Sequence, residues 1–254
     1  MTRPIKAHAL GPLTRAPLKL ALAQARTAPM LALERPETVE RLATALSWEV
    51  VESQSNVELS VRLGPAGIEQ QRGRPESVWV LAAPSEQFRA VLSPSSVAVQ
   101  CERYSHWSDF QDALDAVLGA VSEIAAPTRV TRFGMRYVNE LDDPRLHGEN
   151  PAALTAVLGE ELVALAVALD RPVAASLTEL RVREPFGELT VRHGMTQPGR
   201  YLLDLDAYDE TPGRFEVKRL MSSADAFHAR IEELFAWALE PSYLASLSEP
   251  PEEQ

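Results

Sequence analysis

The stretch TRFGMRYVNEL (131–141) sets Arg132 and Arg136 four residues apart, with Gly134 between them and Tyr137 and Asn139 following. A guanidinium is a planar fork of donors that suits carboxylates and phosphates. A second stretch, YLLDLDAYDE (201–210), carries Asp204 and Asp206 two apart. Two carboxylates on one strand face are able to hold Mg²⁺ together with substrate phosphates. Nucleotide-transferring enzymes that use such a pair also need a Gly-Ser loop or a third carboxylate, and the chain has no Gly-Ser dipeptide. An EF-hand reading fails, because Tyr208 and Glu210 fall at the fifth and seventh loop positions and the sixth is not glycine. The competing reading is structural: Asp204 and Asp206 pair with Arg132, Arg136 or Arg181 across neighbouring strands.

Side chains alternate faces along a strand. Arg132, Gly134, Arg136 and Val138 therefore share one face of 131–141. Phe133, Met135, Tyr137, Asn139 and Leu141 share the other, which reads as the core side. The same alternation groups Asp204 with Asp206 and Tyr208, Glu179 with Arg181 and Arg183, and Glu188 with Thr190 and Arg192. One sheet face thus becomes a lattice of Arg, Asp and Glu. Either it is a solvated set of cross-strand ion pairs, each contributing roughly 0.2–1 kcal/mol, or it recognises an acidic ligand or a partner. The candidate binding residues on this reading are Arg132, Arg136, Asn139, Arg181, Asp204 and Asp206.

The remaining chemistry-bearing residues point nowhere in particular. His8, His106, His147, His193 and His228 form no metal-ligand spacing. His228 reads as a helix-flank or core histidine, His193 as a satisfied core imidazole, and the lone Cys101 as inert. No nucleophile elbow, phosphate loop or dinucleotide fingerprint occurs. No cofactor or metal is expected.

These residues must be placed by the elements around them. Strands are predicted at 18–26, 57–63, 77–83, 88–93 and 96–104, with a turn at GPAG (64–67) and a short helix at 36–46. A long helix spans 106–126, with Ser108 as N-cap and Pro127 as stop. The second half repeats the order. Strand 131–141 leads to a helix at 151–169, strands at 176–184, 188–195 and 200–208 with Phe186-Gly187 in a hairpin turn, and a closing helix at 223–239 capped by Ser223 or Asp225. Phe110, Leu114, Val117, Leu118 and Val121 recur as Phe227, Ile231, Leu234, Phe235 and Ala238 at an offset of 117 residues. The predicted architecture is α+β: two tandem copies of a strand, helix, antiparallel meander and long helix, with the sheets covered on one face by helices. A flexible arm (1–16) precedes the first copy (17–128). The second copy (129–245) packs with it in one globular body, and a disordered tail (246–254) follows.

The chain has 254 residues, 45% hydrophobic and 24% charged, with a formal net charge of −11. That acidity repels nucleic acid, and no basic run offsets it. One cysteine excludes an intrachain disulfide. No apolar run is long enough to span a membrane, and the first residues lack a signal-peptide core. A cytoplasmic location is the expectation.

Three stretches carry a resemblance: APLKLALAQARTAPML (16–31), the span from SPSSVAVQCERYSHW through TRFGMRYVNEL (93–141), and YLLDLDAYDE with FHARIEELF (201–210 and 227–235). Together they resemble a sporadically distributed bacterial family of about this length. Its signature is an R-x-G-x-R-Y-x-N strand, matched by Arg132, Gly134, Arg136, Tyr137 and Asn139. Asp204, Asp206 and Tyr208 match its "LDLDAY"-like strand, and Phe227 and His228 its last helix. Lys19 and Thr27 depart from the apolar residues usual in its opening strand. The resemblance implies the layout from about residue 16 to 247 and carries no activity with it.

The functional expectation is a non-catalytic protein that binds another bacterial protein through sheet faces or edges, in the manner of a chaperone, antitoxin or immunity protein, and forms a homodimer. The alternative is an enzyme or binder acting on a phosphorylated or nucleotide ligand through Asp204, Asp206, Arg132 and Arg136. No nucleic-acid or membrane partner is expected.

Overall fold

A computed structural model describes residues 13–64, 67–147, 149–197 and 199–248, and the side chains of these outside 54–76. The expected turn at 64–67 and the alternating Val57–Leu63 face fall on positions outside that description. β1 (Leu18–Thr27) leads through a 3-10 turn to α1 (Pro36–Leu46). A long hairpin of β2 (Glu49–Gly64) and β3 (Gly67–Ala82) follows, then β4 (Phe88–Ser93), β5 (Ser96–Cys101) and α2 (Trp107–Ile124). The second half runs β6 (Arg129–Asp142), α3 (Glu160–Leu169), β7 (Thr178–Glu184), β8 (Gly187–Gln197) and β9 (Arg200–Asp209). The two-residue β10 (Gly213–Arg214), α4 (Val217–Ala238) and α5 (Pro241–Ser246) close it.

All ten strands form one antiparallel sheet in the order β2-β3-β4-β5-β1-β6-β9-β8-β7, with β10 beside the start of β6. The fold is α+β, as the alternation predicts, but the halves do not hold separate sheets. β1 and β6 pair along nearly their whole length, from Leu18 opposite Asn139 to Thr27 opposite Val130. The reason lies in the inward faces. Ala21, Ala23 and Ala25 lie opposite Tyr137, Met135 and Phe133, small against large, and all six are buried. α2 packs on β4 and β5, and α4 on β6 and β9. Their apolar stripes, Phe110 to Val121 and Phe227 to Ala238, are buried as predicted.

Several boundaries differ from the sequence expectation. Ser108 lies inside α2, whose N-cap is His106 and makes no side-chain cap bond. The segment 151–169 is not one helix: a 3-10 stretch, Pro151–Ala156, stops before Gly159, which caps α3. The break lets Gly159 N–H donate to Ala238 O at 2.8 Å, tying α3 to the end of α4. α4 starts at Val217, so Ser223 and Asp225 lie within it, and Asp225 accepts from Trp107 Nε1 and Gln111 Nε2 on α2. The hairpin turn is Pro185-Phe186, and Gly187 already pairs with Glu184.

The first and last described residues meet. Arg15 N–H donates to Leu247 O at 2.9 Å, and Thr14 donates its hydroxyl hydrogen to Ser248 O. Residues 13–16 are thus tied down rather than loose, and Leu247, expected in a free tail, is buried.

Candidate functional site

The sheet face opposite the buried Ala21, Met135 and Leu205 row carries the predicted lattice. Arg136 grips Asp204 with both prongs, Nε to Oδ1 and Nη2 to Oδ2, each at 2.7 Å. The register explains the choice. Asp206 lies directly opposite Arg136, and Asp204 lies one diagonal step along. The long guanidinium stem takes that step, and Arg132, two residues before the Gly134–Tyr208 pair, reaches further, past Tyr208, to Asp206 at 3.1 Å. Arg192 stands directly opposite Asp204 and donates to it at 3.3 Å, while its Nε donates to Glu179 at 2.7 Å. Asp204 is only 2% exposed, so its charge is held by two guanidinium groups rather than by water.

Gly134 makes this packing possible. A Cβ there would sit 2.7 Å from Tyr208 Cβ and 3.0 Å from Ala207 O. The bare position lets Arg132 lie over the Tyr208 ring at 4.3 Å, while the Tyr208 hydroxyl donates to Glu188 at 2.7 Å. Gly134→Val is expected to cost about 1–3 kcal/mol by overpacking, read from urea unfolding; an unchanged midpoint would contradict the close approach.

A hollow of ≈ 290 Å³ lies over the lattice, lined by Arg26, Arg132, Arg136, Arg181, Arg192 and Asp206 among others. Arg132, Arg136, Asp204 and Asp206 are engaged with one another rather than converging on free space. Burial pushes the Asp206 carboxyl upward even with Arg132 and Arg136 beside it, so its ionised form is under-compensated. Arg181 joins neither aspartate; its carboxylate contact is Glu188 at 3.9 Å. Arg192, absent from the candidate set, takes the place expected for Arg181. Among the described residues no group of three His, Cys, Asp or Glu side chains is arranged to hold a metal ion.

Asn139 lies on the other face. It is buried, and its Nδ2 donates to Leu203 O at 3.2 Å. It lines a cavity of ≈ 320 Å³ between the sheet and α4. Tyr137 and Asn139 of β6 form the floor, and His228, Ile231, Glu232 and Phe235 of α4 form one wall. Tyr104 to Trp107, leading into α2, form another, and Leu13 and Ala16 to Leu18 the rim. The strand alternation that sends Arg136 outward sends Tyr137 and Asn139 here. His228 and Glu232, one helical turn apart, reach the same space from α4.

Four of these groups are linked. Tyr137 donates its hydroxyl hydrogen to Tyr104 at 3.3 Å, so its oxygen accepts from His228 Nδ1–H at 2.9 Å. His228 Nε2 lies 3.4 Å from Glu232 Oε1. The imidazole stacks on the Trp107 indole, with centroids 4.2 Å apart. Burial lowers its pKa to about 4 and raises that of Glu232, so both groups are pushed toward their neutral forms. Burial also pushes the Tyr104 hydroxyl to about 12 and Tyr137 well above its ordinary value.

Sequence reasoning read His228 as a helix-flank or core histidine, of which the structure shows the buried one, and missed this constellation. The signal within reach was the His228/Glu232 spacing on one helix face. Tyr104 lies past the end of β5, where strand alternation no longer says which way a side chain points. His193 is satisfied as expected, with its Nδ1 2.6 Å from the Tyr201 hydroxyl, and Cys101 is buried.

A single-sheet α+β protein with one charged outer sheet face and a tyrosine–histidine–carboxyl cavity beneath the other is the class that fold and site define. No protein-family model matches the chain, and no curated protein shows significant similarity to it. No helix among the described residues is long and apolar enough to cross a membrane.

Proposed function

We propose that the protein binds a small molecule in the cavity between β6 and α4, and that the ligand has an apolar body and an amine. The observation that carries this reading is the make-up of the lining. Among the described lining residues Glu232 is the one carboxylate, and no described Lys or Arg accompanies it. An anionic ligand would enter without a fixed counter-charge, at a desolvation cost. An ammonium would restore the charge of a carboxyl that burial disfavours, beside the electron-rich rings of Tyr104 and Tyr137. Leu18, Ile231 and Phe235 offer an apolar wall, and ≈ 320 Å³ is the low end of ordinary ligand sites.

Tryptamine and indole-3-acetate form a matched pair of probes, alike in ring and opposite in charge. Calorimetric titration is expected to give saturable one-to-one binding of tryptamine and none of indole-3-acetate. Leu18→Trp, which fills the cavity wall, should abolish it, and Glu232→Gln should weaken it at least tenfold. Equal binding of both probes, or binding unaffected by Leu18→Trp, would reject the proposal.

The layout supports a companion reading, that the chain is a tandem duplication with helices over one sheet face. Outward from the centre the strands run β1-β5-β4-β3-β2 on one side and β6-β9-β8-β7 on the other, so the first side holds one strand more. Each set has a helix after its first strand and another after its last. The helix offset of 117 would set buried Ala21 on outward Val138. The copies therefore differ by an odd number of residues between strand and helix, which the connection through β10 accommodates.

A further inference from the structure

We propose that β7 is the seam of a two-fold dimer with a second copy of this chain, centred on Leu180. Among the described residues β7 ends the sheet, paired with β8 on one side only. Natural edge strands are usually blunted by proline, a bulge or charged side chains, lysine above all. β7 has no proline and no lysine, its charges are of both signs, and its pairing with β8 runs without a register shift. The stretch 165–180 also holds Leu165, Leu169, Leu177 and Leu180, each more than half exposed. Three of them are 63–74% exposed and Leu180 56%. Leu177, which leads into β7, and Leu180 within it give the open edge exposed apolar surface of the kind that marks an interaction site.

The charges identify the occupant. Across the outer face one row of directly opposed residues runs Asp204, Arg192, Glu179 from β9 to β7. It alternates acid, base, acid and ends on a carboxylate at the free edge, so the next strand should offer a cation there. In an antiparallel pair about a two-fold axis normal to the sheet, opposed residues share a face, so the axis falls on a residue. Centred on Leu180, Glu179 faces Arg181 of the copy, Arg181 faces Glu179, and Leu180 meets Leu180. Centred on Glu179 or Arg181, like charges oppose each other directly, which is destabilising. Centred on Val182, Leu180 meets Glu184 and Arg181 meets Arg183. Only the Leu180 register continues the alternation, and β7 itself supplies both halves of it.

Light scattering at about 20 μM is expected to give twice the chain mass of 27.9 kDa. Leu180→Asp, with an unchanged circular dichroism spectrum, is expected to give the chain mass. Cys101 is buried, so an introduced Leu180→Cys thiol is the one available for mild oxidation. It should form a disulfide-linked dimer, because opposed side chains across the axis lie within reach. Val182→Cys, four strand positions from its own copy in this register, should not. A monomeric wild type would overturn the proposal, as would a dimer that survives Leu180→Asp or a cross-link at Val182→Cys but not at Leu180→Cys. Failure of amine binding in the cavity would leave these readouts unaffected.

Discussion

Replacing Arg136 by Met is expected to destabilise the protein by about 3 kcal/mol, more than Asp204→Asn, although the two changes break the same ion pair. The asymmetry follows from exposure. The Asp204 side chain is 2% exposed and the Arg136 side chain 43%. Without Arg136, a buried carboxylate is left with Arg192 alone, at 3.3 Å. Without the carboxylate charge, both arginines turn to water, and the asparagine oxygen still accepts one hydrogen bond. That loss is about 1–2 kcal/mol. The pair Arg136→Met with Asp204→Leu should cost less than the sum of its members, because no buried charge is stranded. Urea unfolding of wild type, the three single variants and the double variant measures this. Equal single-site costs, or strict additivity, would show that the lattice behaves as a surface ion pair.

The second large effect is on pH dependence. His228 has a folded-state pKa near 4 against an ordinary value of 6.5, because burial disfavours its charged form. In the unfolded chain the imidazole takes up a proton below about 6.5, while the folded protein keeps it neutral to about 4. The unfolded state therefore binds more protons in that window, and stability falls as pH drops through it. The stability is complete above pH 6.5, and about 3 kcal/mol of it is lost by pH 4. Glu232 works in the opposite sense. Its raised pKa favours the folded state at low pH and loses that contribution as pH rises. Tyr137 and Tyr104, the other groups facing the imidazole, stay protonated throughout, and His106 lines the same cavity. Wild type therefore has to be compared with His228→Gln, which keeps a hydrogen-bonding side chain and cannot titrate. The stability difference between the two should shrink by about 3 kcal/mol from pH 7 to pH 4. A constant difference would mean that the imidazole titrates at its ordinary value.

Alternation and helical periodicity carried much of this architecture in the open. The core face of 131–141 and both helix stripes are where the apolar spacing puts them, since burial on a strand or helix is a local, periodic property. The pairing of Arg136 with Asp204 was legible as a chemical preference. Which aspartate each arginine takes was not, because it depends on register between strands 68 residues apart. Arg192 was overlooked for the same reason. It faces Asp204 only once β8 is aligned on β9. The helix starts were misread because α2 and α4 begin without side-chain caps, so the serines and aspartate that look like caps have other places. The cavity was least visible. Its walls come from the chain start, the β5–α2 connection, β6 and α4, and no local pattern joins them.

The position of β1 bears on how the chain is made. During synthesis β1 to β5 and α2 emerge first and are able to collapse together. One whole flank of β1 then stays unpaired until β6 follows, more than 100 residues behind it. That flank presents the small inward row Ala21, Ala23 and Ala25 beside open backbone groups, a template for any passing strand. Closing so distant a pair is slow in itself. A ribosome pause or truncation between Ala125 and Arg129 would leave an aggregation-prone half, and a separately supplied second half should rescue its solubility by docking β6 along β1.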